Sequence, residues 1–318
     1  MSGGEQRAGV DLTNLDQPLS PDAGATKRDL VNYLDAVADR MLPGLVDRPL
    51  TVMRVLRGQP PFMQKNAPKY APDWVQTVPI WAEASKREVH YPLCNDRRTL
   101  MWLANQRAVE YHPALGLADN IYRPTHLVLD LDPPADNDFR AVVAVAALVR
   151  QALTDSGLAG AVKTSGAKGL HIYVPIDDHA LADDVAAATR ALAARAEALD
   201  PSLATTAFIV EDRAGKVFVD STRAGGATIV AAYSPRMRAG IPVSFPLSWT
   251  DLDQITPADF TVHTAVEALA GRDPWADMMP APQRLPSDLI EYGRTIPVAR
   301  VAAMHEGKRR ARTPRRRP

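Results

Sequence analysis

The sequence carries no surplus of charge: 37 Lys and Arg stand against 37 Asp and Glu, a formal net charge of +0 at pH 7 over 318 residues. A global pull toward nucleic acid or an anionic surface is therefore excluded, and any such pull must come from local patches. A single cysteine, Cys94, rules out a disulfide framework within the chain and makes a reducing compartment the default. No catalytic pattern surrounds that thiol, which reads as a structural residue. Long apolar runs are also missing. The run Ala141 to Val149 falls far short of the roughly 20 residues that span a membrane. Met1-Ser-Gly-Gly-Glu5 lacks the basic start and apolar stretch of a secretory signal. The expectation is a cytoplasmic protein with no membrane contact. A hydrophobic content of 46% is ordinary for a chain with a sizeable core.

Residues 1–10 are polar and Gly-rich and are expected to be disordered. A helix is expected over Lys27–Leu42, with Thr26 as N-cap and an apolar stripe of Leu30, Tyr33, Leu34, Val37 and Met41. Leu50–Val55, Val78–Ala82 and Val89–Cys94 read as strands, with an aromatic-dotted surface segment over 57–75 between the first two. Thr99–Glu110 fits an amphipathic helix. Thr125–Asp132 is the strongest strand pattern and is stopped by Pro133 and Pro134. A helix over 139–156 ends at Gly157. Ala161–Ser165 and His171–Ile176 read as strands around a Gly-Ala-Lys-Gly turn. Residues 180–199 form an Ala-rich helix with an acidic start. Lys216–Asp220 and Ala227–Tyr233 read as strands, and weak helices fall near 259–270 and 285–293. The basic end, Lys308 to Pro318, is expected to be disordered. A mixed order of elements favours α+β over a doubly wound sheet.

Residues two apart in a strand face the same way, so Asp130 and Asp132 project together. Two carboxylates held close repel, and a divalent cation removes that repulsion. Val217-Phe-Val-Asp220 offers a third carboxylate at a strand end. Three such groups suit two Mg²⁺ or Mn²⁺ ions, an arrangement that serves phosphoryl transfer. Asp-Leu-Asp alone fits a strand end, solvated or capping the next helix, better than a metal site. Lys163-Thr-Ser-Gly-Ala-Lys-Gly-Leu-His171 gathers Ser165, Lys168 and His171 as phosphate donors, with Gly166 and Gly169 permitting close backbone approach. It is not a Walker A loop, and an ordinary hairpin with a solvated lysine would look the same. Arg54, Arg236 and Arg238 suit bidentate phosphate contact but also fit plain surface charge. His112, before Pro113, fits a capped loop residue as well.

Several segments occur together in one order: Phe62-Met-Gln-Lys-Asn-Ala-Pro68, Asp73-Trp-Val75, Leu100-Met-Trp-Leu-Ala-Asn105, Tyr111-His-Pro113, Leu129-Asp-Leu-Asp-Pro-Pro134, Lys163 to His171, Lys216-Val-Phe-Val-Asp220 and Ala231 to Trp249. In this the chain resembles the polymerase domain of bacterial ligase D, or a stand-alone primase-polymerase relative in the archaeo-eukaryotic primase superfamily, over about residues 11–295. The resemblance implies a primase-like α+β core, with a central mixed or antiparallel sheet flanked by helices and an N-terminal DNA-binding lobe. Residues 11–300 would form one catalytic domain of two lobes, and 301–318 a basic disordered tail.

It further implies that Asp130, Asp132 and Asp220 hold two Mn²⁺ or Mg²⁺ ions. Arg54, His112, Ser165, Lys168, His171, Arg236 and Arg238 would serve the incoming NTP or dNTP. Phe62 would stack on the template, with Lys65 beside it as a DNA contact, and Asn14 and Lys27 would grip a 5′-phosphate. The implied activity is template-directed nucleotide addition during bacterial DNA repair, at gaps or at ends undergoing non-homologous end joining. The implied partners are a gapped or broken template-primer, a separate DNA ligase and an end-binding protein. The implied setting is a monomer in the bacterial cytoplasm, associated with the nucleoid.

Two departures bear on DNA grip: Gln17 stands where the family usually has Lys, and Met63 replaces the second Phe of a pair. The stretch Ser221-Thr-Arg-Ala-Gly-Gly226 is also atypical. Rival readings are de novo priming, a non-catalytic gap or end binder, and a metal-dependent phosphodiesterase. An assay without primer, intact carboxylates and strand cleavage respectively separate them.

Overall fold

The computed structural model of the protein describes residues 5–83, 85–134, 139–224 and 228–298. In chain order, β1 (Gln6–Arg7) and β2 (Val10–Asp11) precede α1 (Lys27–Met41), β3 (Leu50–Arg54) and β4 (Phe62–Gln64). A hairpin of β5 (Thr77–Ala82) and β6 (Arg87–Pro92) leads to α2 (Arg97–Asn105), β7 (Ala108–Pro113), β8 (Gly116–Leu117) and β9 (Asn120–Pro124). Next come β10 (His126–Asp132), α3 (Phe139–Asp155), β11 (Ala161–Thr164), β12 (Leu170–Pro175) and α4 (Ala182–Leu199). The chain closes with β13 (Ala204–Thr205), β14 (Val217–Asp220), β15 (Pro246–Leu247), α5 (Ala265–Leu269), α6 (Pro274–Met278) and α7 (Ser287–Thr295).

Local chemistry explains the boundaries. Thr26 caps α1 through a capping box with Asp29, and every residue of the expected apolar stripe is buried. Gly157 takes φ 69°, letting its own N–H and that of Leu158 bond back to Thr154 and Leu153, a Schellman stop for α3.

A six-stranded sheet, ordered β13-β14-β10-β12-β11-β15, is antiparallel except for the parallel pair β13–β14. This is the α+β fold with a central mixed sheet that the resemblance implied. Along β10, Leu127, Leu129 and Leu131 share a core with Val142, Val145 and Val149 of α3 and with α4. Each such side chain contributes about 1.5–3 kcal/mol when fully buried. The alternate residues, Val128, Asp130 and Asp132, point to the opposite face. There Val128 packs with Leu115, Tyr173 and Ile229.

A smaller sheet, β4-β3-β7, forms the N-terminal part together with α1 and α2. Residues 228–245 connect the two sheets. Ala231 N donates to Tyr111 O, Tyr111 N donates to Ser234 Oγ, and Tyr233 N donates to Ser244 O. Among the described residues no helix is long and apolar enough to cross a membrane.

Four expectations need correction. Residues 5–10 are ordered: β1 pairs with β2, Val10 is buried, and Arg7 bonds Asn32. Residues 1–4 and the tail 301–318 lie outside the described residues. The helix expected to reach Glu110 stops at Asn105, because Arg107 adopts a left-handed φ of 61° and the chain turns into β7. Of the strand expected over Ala227–Tyr233, Ala227 lies outside the described residues and 228–233 form no named strand. Thr228 makes an isolated bridge to Ala114, and Tyr233 at φ 66° breaks the extended path. The helix expected over 259–270 shrinks to α5, behind a capped 3-10 turn at Pro257–Asp259.

Candidate metal and nucleotide site

Strand register builds the site. Lys163 on β11 pairs with His171 on β12, His171 with Asp130 on β10, and Asp130 with Asp220 on β14. Directly paired residues share a face, so one row of titratable groups crosses four strands. Asp132 projects from the same face one step further along β10, opposite Phe218.

All four members of the row are buried, so each needs a partner. Lys163 Nζ donates to Ser244 Oγ at 2.5 Å, lies 2.9 Å from His171 Nδ1, and sits over the Tyr173 ring. With Nδ1 accepting from the lysine, the His171 proton resides on Nε2, which lies 3.3 Å from Asp130 Oδ1. Burial, reinforced by the neighbouring Lys163, pushes the His171 imidazole down to about 4, so it is neutral at pH 7. Burial and the Arg236 charge likewise push the Lys163 ammonium well below its ordinary range.

The carboxylates diverge. Burial opposes the charge on Asp130, but His171 and the Arg223 guanidinium outweigh it and hold that carboxyl well below the usual range. Asp132 is pushed up to about 6, by burial and then by the negative charges of Asp130 and Asp220. Asp220 Oδ1 accepts from the Thr222 N–H at 2.7 Å.

An excess of negative charge on three oxygen-donor side chains is what Mg²⁺ or Mn²⁺ relieves, so the donor set fits a divalent ion in kind. As they stand, no three Asp, Glu, His or Cys side chains among the described residues converge into a ready cage. The Arg223 guanidinium lies against Asp130 and Asp220 instead.

Beside the row, Glu110 on β7 organises the basic residues. Its carboxylate lies 2.8 Å from His112 Nε2 and 3.1 Å from Arg236 Nε, and it accepts from Met237 N at 2.8 Å. Arg236 Nη1 also donates to Ser165 O. Burial works to raise Glu110, but the His112 hydrogen bond, the Arg236 charge and the Met237 N–H prevail and hold it at about 2. Thus His112, Ser165 and Arg236 are brought together, whereas Lys168 and Arg238 stand exposed.

Arg54 is placed differently. Its guanidinium bonds Gln106 O, Gln64 and Tyr70, bracing the surface segment that follows β3. Ser165 Oγ accepts from the Ala167 and Gly169 N–H groups and so shapes the turn. The two glycines of that turn make room for the chain itself. A Cβ on Gly169 would lie 1.9 Å from Leu131 O, and one on Gly166 would lie 2.6 Å from the Arg236 side chain.

The expected 5′-phosphate residues do meet. Gln17 N donates to Asn14 O and Lys27 N donates to Gln17 O. Lys27 Nζ donates to Thr13 O and Asn105 Oδ1 at 2.5 and 2.6 Å. Burial, with the Arg107 charge adding to it, lowers that ammonium to about 8. Gln17, Arg57 and Arg107 line an adjoining groove of about 820 Å³. Phe62, Met63 and Lys65 are exposed on and beside the edge strand β4.

Sequence reasoning assigned no role to Lys163, Glu110, Ser244 or Arg223. Lys163 lay in a motif whose phosphate role went to Lys168, and Glu110 lay inside the overextended helix. Ser244 lay in the segment Ala231 to Trp249, where only the arginines were weighed, and Arg223 in the atypical stretch. The one usable signal was a lysine set in an apolar strand.

The family model described as "LigD, primase-polymerase domain" matches residues 26–275. The bifunctional non-homologous end joining protein LigD of Bacillus subtilis (strain 168) is 33% identical over 287 residues, covering 88% of this chain and 46% of that protein. The multifunctional non-homologous end joining protein LigD of Mycobacterium bovis is 36% identical over 264 residues, covering 79% of this chain and 34% of that protein. Among solved structures, the polymerase domain of Mycobacterium tuberculosis ligase D in complex with DNA superposes with a TM-score of 0.77. It is 32% identical, and the match covers 87% of this chain and all of that one. The chain belongs to the LigD primase-polymerase domain family. It spans less than half the length of the curated relatives it matches.

Proposed function

We propose that this chain is a template-directed nucleotidyltransferase that fills short gaps or extends DNA ends in bacterial break repair. The observation carrying this reading is the register-matched row Lys163–His171–Asp130–Asp220, with Asp132 beside it, in a chain of the LigD primase-polymerase family. Asp130, Asp132 and Asp220 would hold the divalent ions, Mn²⁺ or Mg²⁺ and two in number. When bound, such ions supply positive charge that activates a 3′-hydroxyl and stabilises the leaving pyrophosphate.

The protein's own groups do the rest. His171, fixed by Lys163, presents its Nε2 proton toward Asp130 and the nucleotide beside it. Arg236 and His112, anchored on Glu110, aim positive charge and a hydrogen-bond donor at the triphosphate, with Lys168 and Arg238 reaching in from the surface. The Ser165 turn lies close to the same phosphates. Phe62 would stack on a template base, and Asn14, Lys27 and Lys65 would hold the strand beyond the gap. The partners are a gapped or broken template-primer, an NTP or dNTP, a separate ligase and an end-binding protein. The protein would act as a monomer in the cytoplasm. Extension of a gapped template-primer with Mn²⁺ tests the reading: Asp130→Ala with Asp132→Ala is expected to abolish it, and wild-type extension by that variant would refute the assignment.

A further inference from the structure

The short turn Thr222–Ala224 carries Arg223 back over the acidic residues. Arg223 Nη2 donates to Asp130 Oδ2 at 2.8 Å, and its Nε lies 3.3 Å from Asp220 Oδ2. The second contact is poorly aligned, so the buried Nε makes no hydrogen bond there. The guanidinium therefore spans two carboxylates that face each other across paired strands, gripping one firmly and the other loosely. Arg213, the next cation along, is committed elsewhere: it stacks on Phe218 and donates to Ala207 O and Phe208 O.

We infer that Arg223 is a displaceable counter-cation of the acidic site, holding Asp130 and Asp220 in the metal-free protein and competing with the divalent ion for them. The inference rests on the metal reading above. Three close carboxylates without a cation would repel strongly, and one guanidinium offsets part of that charge. Asp130 Oδ2 and Asp220 Oδ2 cannot serve both the guanidinium and an ion at full strength. Arg223 is a third exposed and sits on a turn outside the sheet, so it can leave without breaking a strand pair.

Calorimetric Mn²⁺ titration of the full chain, without DNA or nucleotide, tests this alongside thermal melting with and without Mn²⁺. Arg223→Gln should bind Mn²⁺ about tenfold more tightly than wild type, the scale of one lost charge contact. Its metal-free melting temperature should fall, and Mn²⁺ should raise it by more than in wild type, since ligand stabilisation grows with affinity. Arg223→Lys, which keeps the charge but loses the planar fork, should fall between the two. If Arg223→Gln is too unstable without metal to titrate, tightening in Arg223→Lys decides the matter. Equal or weaker Mn²⁺ binding by the folded variants would overturn the inference. Asp130→Asn with Asp132→Asn separates the two layers. Loss of Mn²⁺ binding there, with no tightening in the Arg223 variants, rejects the counter-cation alone. Unchanged binding in the Asp variant rejects the metal reading and this inference with it.

Discussion

The proposed reacting row and the proposed DNA-gripping edge of this protein are built from different materials. Lys163, His171, Asp130 and Asp220 are buried at matched register positions on four adjacent strands; Lys163 contacts His171, His171 contacts Asp130, and Arg223 bridges Asp130 and Asp220. Phe62, Met63 and Lys65 stand exposed on and beside the edge strand β4. Lys27 lies between these extremes, buried and bonded to the Thr13 carbonyl and to Asn105 at the end of α2. The difference is physically sensible. Chemistry needs groups fixed to a fraction of an ångström, which paired strands provide. Holding DNA of any sequence needs aromatic faces and positive charge that adapt.

If the row works as a unit, removing a member that never touches substrate must still damage the reaction. Lys163→Met keeps the volume but leaves His171 Nδ1 without its donor. Single-turnover extension should fall about 10–100-fold, the usual effect of losing an outer partner, with DNA affinity unchanged. A parallel loss of DNA binding would break the distinction between the regions.

Glu110→Gln strikes the hinge between them, where His112 and Arg236 are anchored. The nucleotide KM should rise about tenfold, as expected when one charged hydrogen-bonding group is lost. Glu110 also sets a pH signature. Its folded value of about 2 lies below the ordinary 4.5, so its contribution to stability is complete above about pH 4.5 and is lost as the pH falls toward 2. The stability gap between wild type and Glu110→Gln, read from denaturant melts, should therefore narrow across that window. A gap that stays constant would contradict the ion-paired carboxylate.

Changes on the gripping edge should be milder and should leave turnover alone. Gln17→Lys adds a cation beside Asn14 and Lys27. It should raise the preference for a 5′-phosphorylated gap roughly fivefold, a modest charge-assisted contact. Met63→Phe should tighten template binding by about 1 kcal/mol, the low end of base stacking. Fluorescence anisotropy on gapped DNA reads both, and no change in either would remove these positions from the DNA surface.

Within the row itself, local signals and long-range partnerships were unequally legible in the sequence. The strand positions of Asp130, Asp132 and Asp220 were legible because a period of two and an abrupt strand end are local signals; their metal role came only through the resemblance. Thr26 and Gly157 at the helix ends were legible too. Glu110 was hidden because Leu100 to Leu103 carry a helical pattern that nothing local stops before Arg107 takes its left-handed turn. Lys163 was hidden because lysine is rarely buried, and only the pairing of β11 with β12 and the approach of Ser244 show why this one is. Arg54 was assigned to the nucleotide through the resemblance, while its charge alone also fitted the surface; its guanidinium bonds Gln64, Tyr70 and Gln106. Such partnerships arise between segments far apart in the chain, and no periodicity records them.

One measurement bears most directly on the acidic row as the seat of reaction: DNA affinity and primer extension determined together for Asp130→Ala with Asp132→Ala on a gapped template-primer in Mn²⁺. Binding within about twofold of wild type, with extension reduced by at least about 10³-fold, is the predicted result, since losing metal-borne charge stabilisation removes several kcal/mol from the transition state. Extension that survives, or that falls only in proportion to lost binding, would contradict it.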